Sequence, residues 1–153
     1  MRMLLLAPAL AAATVAAASP PLTHAQLVTR ANAICVRYDA LLAAPPGVSG
    51  RLGDADFHAA WLRLFARQRD ELARLAPPST DTAAYARFLA TLPPIATAFR
   101  KLATALETEV PVKRWRPLFR RFRAAERAAG QRARAVGIRR CFPQRGSALA
   151  RTG

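Results

Sequence analysis

Apolar residues recur along this chain at steps of three and four, the spacing that gathers them on one face of a helix, and they do so in four separate stretches. In the first, Leu27, Ala31, Ile34, Tyr38 and Leu41 line up as far as about Ala43. Thr23 opens that stretch with Gln26 three residues on, a capping-box spacing that satisfies free N–H groups at the helix start. Pro45-Pro46-Gly47 stops the helix, and composition makes the segment to Gly53 a flexible loop. In the second stretch Phe57, Trp61, Leu64, Phe65, Leu72 and Leu75 share one side, interrupted by Gln68. Asp54 is its expected cap and Pro77-Pro78 its stop, while Arg67–Glu71 and Asp70–Arg74 stand at ion-pair spacing on the remaining surface.

The third stretch starts in Ser79-Thr80-Asp81 and carries Tyr85, Phe88, Leu92, Ile95, Phe99, Leu102 and Leu106 in unbroken phase. Pro93-Pro94 falls in its middle, where two N–H donors are missing and the rings crowd the preceding turn. Because the apolar phase survives, the pattern predicts one helix kinked at Pro93-Pro94, with a short break at Leu92 as the alternative. The fourth helix begins between Pro111 and Pro117 and puts Trp115, Leu118, Phe119, Phe122, Ala125, Ala129, Ala133 and Val136 on one side. Gly137 is placed as the residue just past its end, with Ile138 as the apolar contact beyond. Few β-branched residues, no strand alternation and no repeat interrupt this picture. It describes an all-α, up-down four-helix bundle, the alternative being a three-helix core with the first half of helix three packed differently.

The N-terminus does not belong to the bundle. Arg2, the apolar run Leu4 to Val15 and Ala16-Ala17-Ala18 read as the three regions of a secretory signal peptide, with cleavage expected after Ala18. The run is short, alanine-rich and broken by Pro8, below the roughly 20 residues that span a bilayer. Residues 1–18 are therefore assigned as signal peptide, and 19–153 as one helical domain whose last residues, 143–153, form a disordered tail. The expected location is secreted, periplasmic or cell-envelope, with no membrane span left after cleavage.

Two cysteines in an exported chain, Cys35 on helix one and Cys141 just past helix four, most simply form a structural disulfide. A redox or metal pair is the poorer reading, since there is no C-x-x-C and both histidines are distant in sequence. Two segments around these cysteines carry a resemblance: Ala31-Asn32-Ala33-Ile34-Cys35, and Ala135-Val136-Gly137-Ile138-Arg139-Arg140-Cys141. With the Leu75-Ala76-Pro77-Pro78 helix stop, they resemble a group of small secreted bacterial helical proteins that match an "ANAIC"-like segment with a "GL-x-x-C" ending. Ile138 stands here for the leucine, and the lipid-modified cysteine of many members is missing. The resemblance implies the fold, export and the bridge, and implies no chemistry.

Charge is confined to the last third. The 153 residues hold 24 basic and 9 acidic side chains, and from Pro111 onward 13 basic residues meet one acid, Glu126. Arg116, Arg120, Arg123, Arg127 and Arg134 cluster opposite the apolar side of helix four as a candidate anion-binding row. Since 22 of the 24 basic residues are arginine, a compositional bias toward arginine and alanine is the competing explanation. No aromatic residues interleave with the row for base stacking, which argues against nucleic acid as partner. Glu126, at the border of the apolar face, is expected to form a buried ion pair with Arg30 or Arg37 of helix one.

Catalytic signatures are absent: there is no nucleophile elbow, zinc-protease motif or phosphate loop. Asp54-x-Asp56-x-His58 resembles a metal site only superficially, because on a helix these side chains diverge and the carboxylates suit a cap and first turn. The expectation is therefore a protein without metal, cofactor or catalysis, serving as a binding or structural component of the envelope. An anionic lipid or wall-polymer surface is the candidate partner, and a small-ligand carrier with a cleft near Pro93-Pro94 is the rival.

Overall fold

A computed structural model describes residues 20–48 and 54–143. The assigned signal peptide, most of the Gly53 loop and the tail beyond Pro143 lie outside these residues. The described chain is all-helical: α1 (His24–Ala43), α2 (Ala55–Ala73), α3 (Thr82–Leu89), α4 (Leu92–Glu107) and α5 (Val112–Ala135). Helices α3 and α4 together form the expected third helix, bent through the turn at Ala90–Thr91. Pro93 and Pro94 follow directly, in the first turn of α4, where an amide N–H has no partner within the helix to lose. Pro117 is less comfortably placed, lying inside α5 beyond its first turn.

Caps behave largely as the sequence predicts. Thr23 and Gln26 close the capping box reciprocally, with Thr23 N–H donating to Gln26 Oε1 at 2.9 Å and Gln26 N–H to Thr23 Oγ1 at 3.2 Å. Asp54 and Asp81 take the N-cap positions of α2 and α3 without a side-chain capping bond. At the far end, Gly137 N–H donates to Arg134 O and Ile138 N–H to Ala133 O, the paired bonds of a Schellman motif, with Gly137 at φ 84°.

The core is one aromatic-centred cluster. Trp61 and Phe99 stack with centroids 3.9 Å apart, Phe65 stacks 5.0 Å from Trp61, and Phe122 of α5 lies 5.5 Å from Phe99. Leu27, Leu72, Leu92, Ile95, Leu102 and Ile138 are fully buried around them. Tyr85 is buried as well, its hydroxyl donating at 2.7 Å to Leu72 O at the end of α2. Burial pushes the Tyr85 phenol well above its usual range.

Helix α1 packs chiefly on α2, and α5 on α4 and α3. The connection between α1 and the C-terminal end is made by the segment after α5, Gly137–Phe142, which acts as a strap. Ile138 and Cys141 are buried in it, and Phe142 sets its ring 6.3 Å from that of Phe65. The disulfide Cys35–Cys141 ties the strap to α1. Asn32 Oδ1 accepts from two strap N–H groups, Arg139 at 3.0 Å and Arg140 at 2.8 Å. The two cysteine-bearing segments quoted above are thus in direct contact, one laid along the other.

Candidate functional site

Helix α5 exposes most of its arginines because its buried stripe is narrow. Phe122, Ala129, Gly130 and Ala133 are its buried residues, and small ones dominate the C-terminal half where the strap lies against it. Near Gly130 the strap comes so close that an added Cβ would meet Phe142 O at 2.8 Å. The remaining circumference is left to charged side chains.

Four of the five arginines in the row, Arg116, Arg120, Arg127 and Arg134, are exposed, and none forms an ion pair among the described residues. At about 100° per residue they fall within roughly 40° of one another, one line down the helix. Arg123 differs. It is half-buried and its guanidinium donates to Glu126 Oε2 at 2.5 Å, an i,i+3 pair within α5.

This corrects the expected partner of Glu126. Arg37 pairs instead with Glu71 of α2, whose other oxygen accepts from Tyr38 at 2.6 Å, and Arg30 is exposed and forms no ion pair among the described residues. Glu126 therefore keeps to a partner on its own helix. Burial raises its carboxyl above the usual glutamate range, and Arg123 and then Arg127 oppose that shift. Asp70 likewise turns to Arg69 rather than Arg74.

His58, read from sequence as a neighbour of Asp54 and Asp56, points the other way. It is 3% exposed, packs edge-on against Phe57 and Phe99, and its Nδ1 lies 2.6 Å from Glu107 Oε1 at the end of α4. The pair joins the start of α2 to the end of α4. Among the described residues no three His, Cys, Asp or Glu side chains come together to hold a metal ion. The one sequence signal for His58 was a polar residue directly following Phe57 and three before Trp61, on the apolar side of its helix.

A second feature lies between α4 and α5. An open groove of about 490 Å³ is lined by Pro93, Pro94, Thr97, Ala98 and Lys101 from α4 and by Leu118 and Arg121 from α5. Pro94, Thr97, Ala98 and Lys101 stand at steps of three and four, one stripe of α4 beside its core stripe. The small side chains of Pro94, Thr97 and Ala98 leave the space between the helices unfilled. Nothing in sequence spacing alone puts Lys101 and Arg121 together.

No described helix is long and apolar enough to cross a membrane. The disulfide-bonded pair fits an oxidising, extracytoplasmic setting. Comparison of the chain with protein-family models, with curated proteins and with solved structures found no match.

Proposed function

We propose that this chain is an exported, disulfide-stapled helical protein that acts without catalysis in the cell envelope, docking on an anionic surface through α5. The observation that carries the reading is the line of Arg116, Arg120, Arg127 and Arg134, exposed and in no ion pair among the described residues. Secretion into the periplasm, wall or medium is part of the same proposal, supported by the sequence of residues 1–18 and by the cysteine bridge. Arginine guanidinium groups suit phosphate and carboxylate oxygens, and a rigid helix presents them in fixed register.

The test is co-sedimentation with vesicles of phosphatidylglycerol and phosphatidylcholine, and with purified wall polymer, across a salt series. Each basic side chain near an anionic membrane contributes about 1 kcal/mol, so changing all four arginines to glutamine should weaken partitioning by roughly two to three orders of magnitude. Arg123→Gln should do less, since that guanidinium is committed to Glu126. Added salt should release the protein. Equal retention of the quadruple variant, or no binding at low salt, would discard the proposal. An activity lost on Glu126→Gln with the fold retained would instead argue for an enzyme.

A further inference from the structure

The groove between α4 and α5 sets apolar and cationic side chains side by side. Its floor is apolar, from Pro93, Pro94, Ala98 and Leu118, and two cations, Lys101 and Arg121, line it with no carboxylate paired to either among the described residues. Both cationic side chains are exposed. A wholly apolar ligand would cover such a floor but leave two cations beside it without a counter-charge. A polyanion would meet the charges but leave the floor wet. One class of molecule matches both parts: a single-chain amphiphile with an anionic head.

We propose that this groove binds a fatty-acid-like carboxylate, its head between Lys101 and Arg121 and its chain along Pro93, Pro94, Ala98 and Leu118. The dimensions fit. From Lys101 back to Pro93 the groove follows about 12 Å of α4 at ~1.5 Å per residue, the length of a medium acyl chain. Its volume of about 490 Å³ lies within the roughly 300–1,000 Å³ of small-molecule sites. The site owes nothing to the arginine row, because Arg121 stands roughly 140° around α5 from Arg116 and Arg134 at about 100° per residue.

Sodium laurate is the probe, added below its micelle concentration to the disulfide-bonded chain recovered after export, with binding read by calorimetry and by thermal shift. Dodecyltrimethylammonium and dodecyl maltoside supply the same chain with a cationic and a neutral head. Laurate should bind with one site per chain and raise the unfolding temperature. Lys101→Gln with Arg121→Gln should weaken it about tenfold or more, the loss expected of charge-assisted contacts. Thr97→Trp, at an exposed position, should fill the groove and abolish binding without touching the core. Glutamine at Arg116, Arg120, Arg127 and Arg134 should leave laurate binding unchanged, so failure of the surface reading and failure of this one are separable. The proposal is overturned if laurate does not bind, if the cationic chain binds as well, if the Lys101/Arg121 variant binds undiminished, or if only the four-arginine variant loses binding.

Discussion

Replacing Gly130 by alanine tests whether the C-terminal strap is held hard against α5. At an exposed mid-helix site the change should stabilise, by about 0.8–1.0 kcal/mol of helix propensity. Here the new Cβ would stand 2.8 Å from Phe142 O, closer than real Cβ contacts come, and 3.5 Å from Phe142 Cβ. The offending atom is a backbone oxygen, so no side-chain rotation relieves it. Phe142 is itself held in the left-handed region at φ 50° and follows directly on the bridged Cys141. Overpacking of this kind costs about 1–3 kcal/mol, so Gly130→Ala should destabilise the oxidised chain by roughly 1 kcal/mol after the propensity gain.

The decisive comparison repeats the substitution in a Cys35→Ser, Cys141→Ser background. With the bridge gone the strap can retreat from α5, and alanine should then recover most of its propensity advantage. Urea unfolding followed by far-ultraviolet circular dichroism on the four chains gives the coupling directly, with an unchanged denaturant slope as the sign that two-state folding holds. The bridge closes a loop of 106 residues, and its removal alone should cost about 2–5 kcal/mol. Close packing of the strap on α5 is refuted if Gly130→Ala stabilises the oxidised chain by the full propensity value. It is equally refuted if the effect is the same with and without the bridge.

Asn32→Ala removes the acceptor for two strap N–H groups and should cost about 1–2 kcal/mol in the same urea assay, whereas Asn32→Asp, which keeps an acceptor, should lose much less. Tyr85→Phe should cost about 1 kcal/mol through loss of the bond to Leu72 O, with no change in the core aromatic contacts seen by near-ultraviolet dichroism. For Glu126 the folded chain holds its proton more tightly than the unfolded chain does, because burial raises the carboxyl. Its contribution is therefore fully present at acid pH and is lost as pH rises through the elevated folded value. Glu126→Gln should accordingly gain stability relative to wild type on going from acid to neutral pH, and a constant difference across that window would contradict the burial.

Much of the fold was legible because it depends on local signals. Thr23 with Gln26, Gly137 with Ile138 and the four apolar stripes each act within one or two turns, so reading them needs no knowledge of what lies opposite. The disulfide was legible from the expectation of export and from the count of two cysteines. What escaped required distances across the chain. Glu71 accepts from Tyr38 and pairs with Arg37, while Glu126 stays with Arg123; sequence spacing offered Arg67 to Glu71, and Arg30 or Arg37 to Glu126. His58 looked like part of an acidic helix start, yet the same periodicity that buries Trp61 and Phe65 turns it inward to Glu107. The cations of the groove were invisible for the same reason, since Lys101 and Arg121 belong to different helices that only packing brings to one groove.

The strap also explains how a bridge from α1 to the chain end fits a bundle in which α1 rests chiefly on α2. A direct bridge from α1 to the end of α5 would need the two helix backbones themselves to come within disulfide reach. Instead the Schellman turn at Gly137 ends α5, and the chain then runs back along it as far as Gly130 while passing Asn32 and Cys35. The small residues Ala129, Gly130 and Ala133 leave room for that return. An apolar strap residue, Ile138, is then fully buried, and the Phe142 ring lies 6.3 Å from that of Phe65 in the core. The bridge is thus the end of a packed segment rather than a tether, and its stabilisation should couple to Asn32 and Gly130 instead of adding to them. Arginines enter this arrangement through the backbone, Arg139 and Arg140 by their N–H groups and Arg134 by its carbonyl, while the side chains of Arg116, Arg120, Arg127 and Arg134 stay exposed.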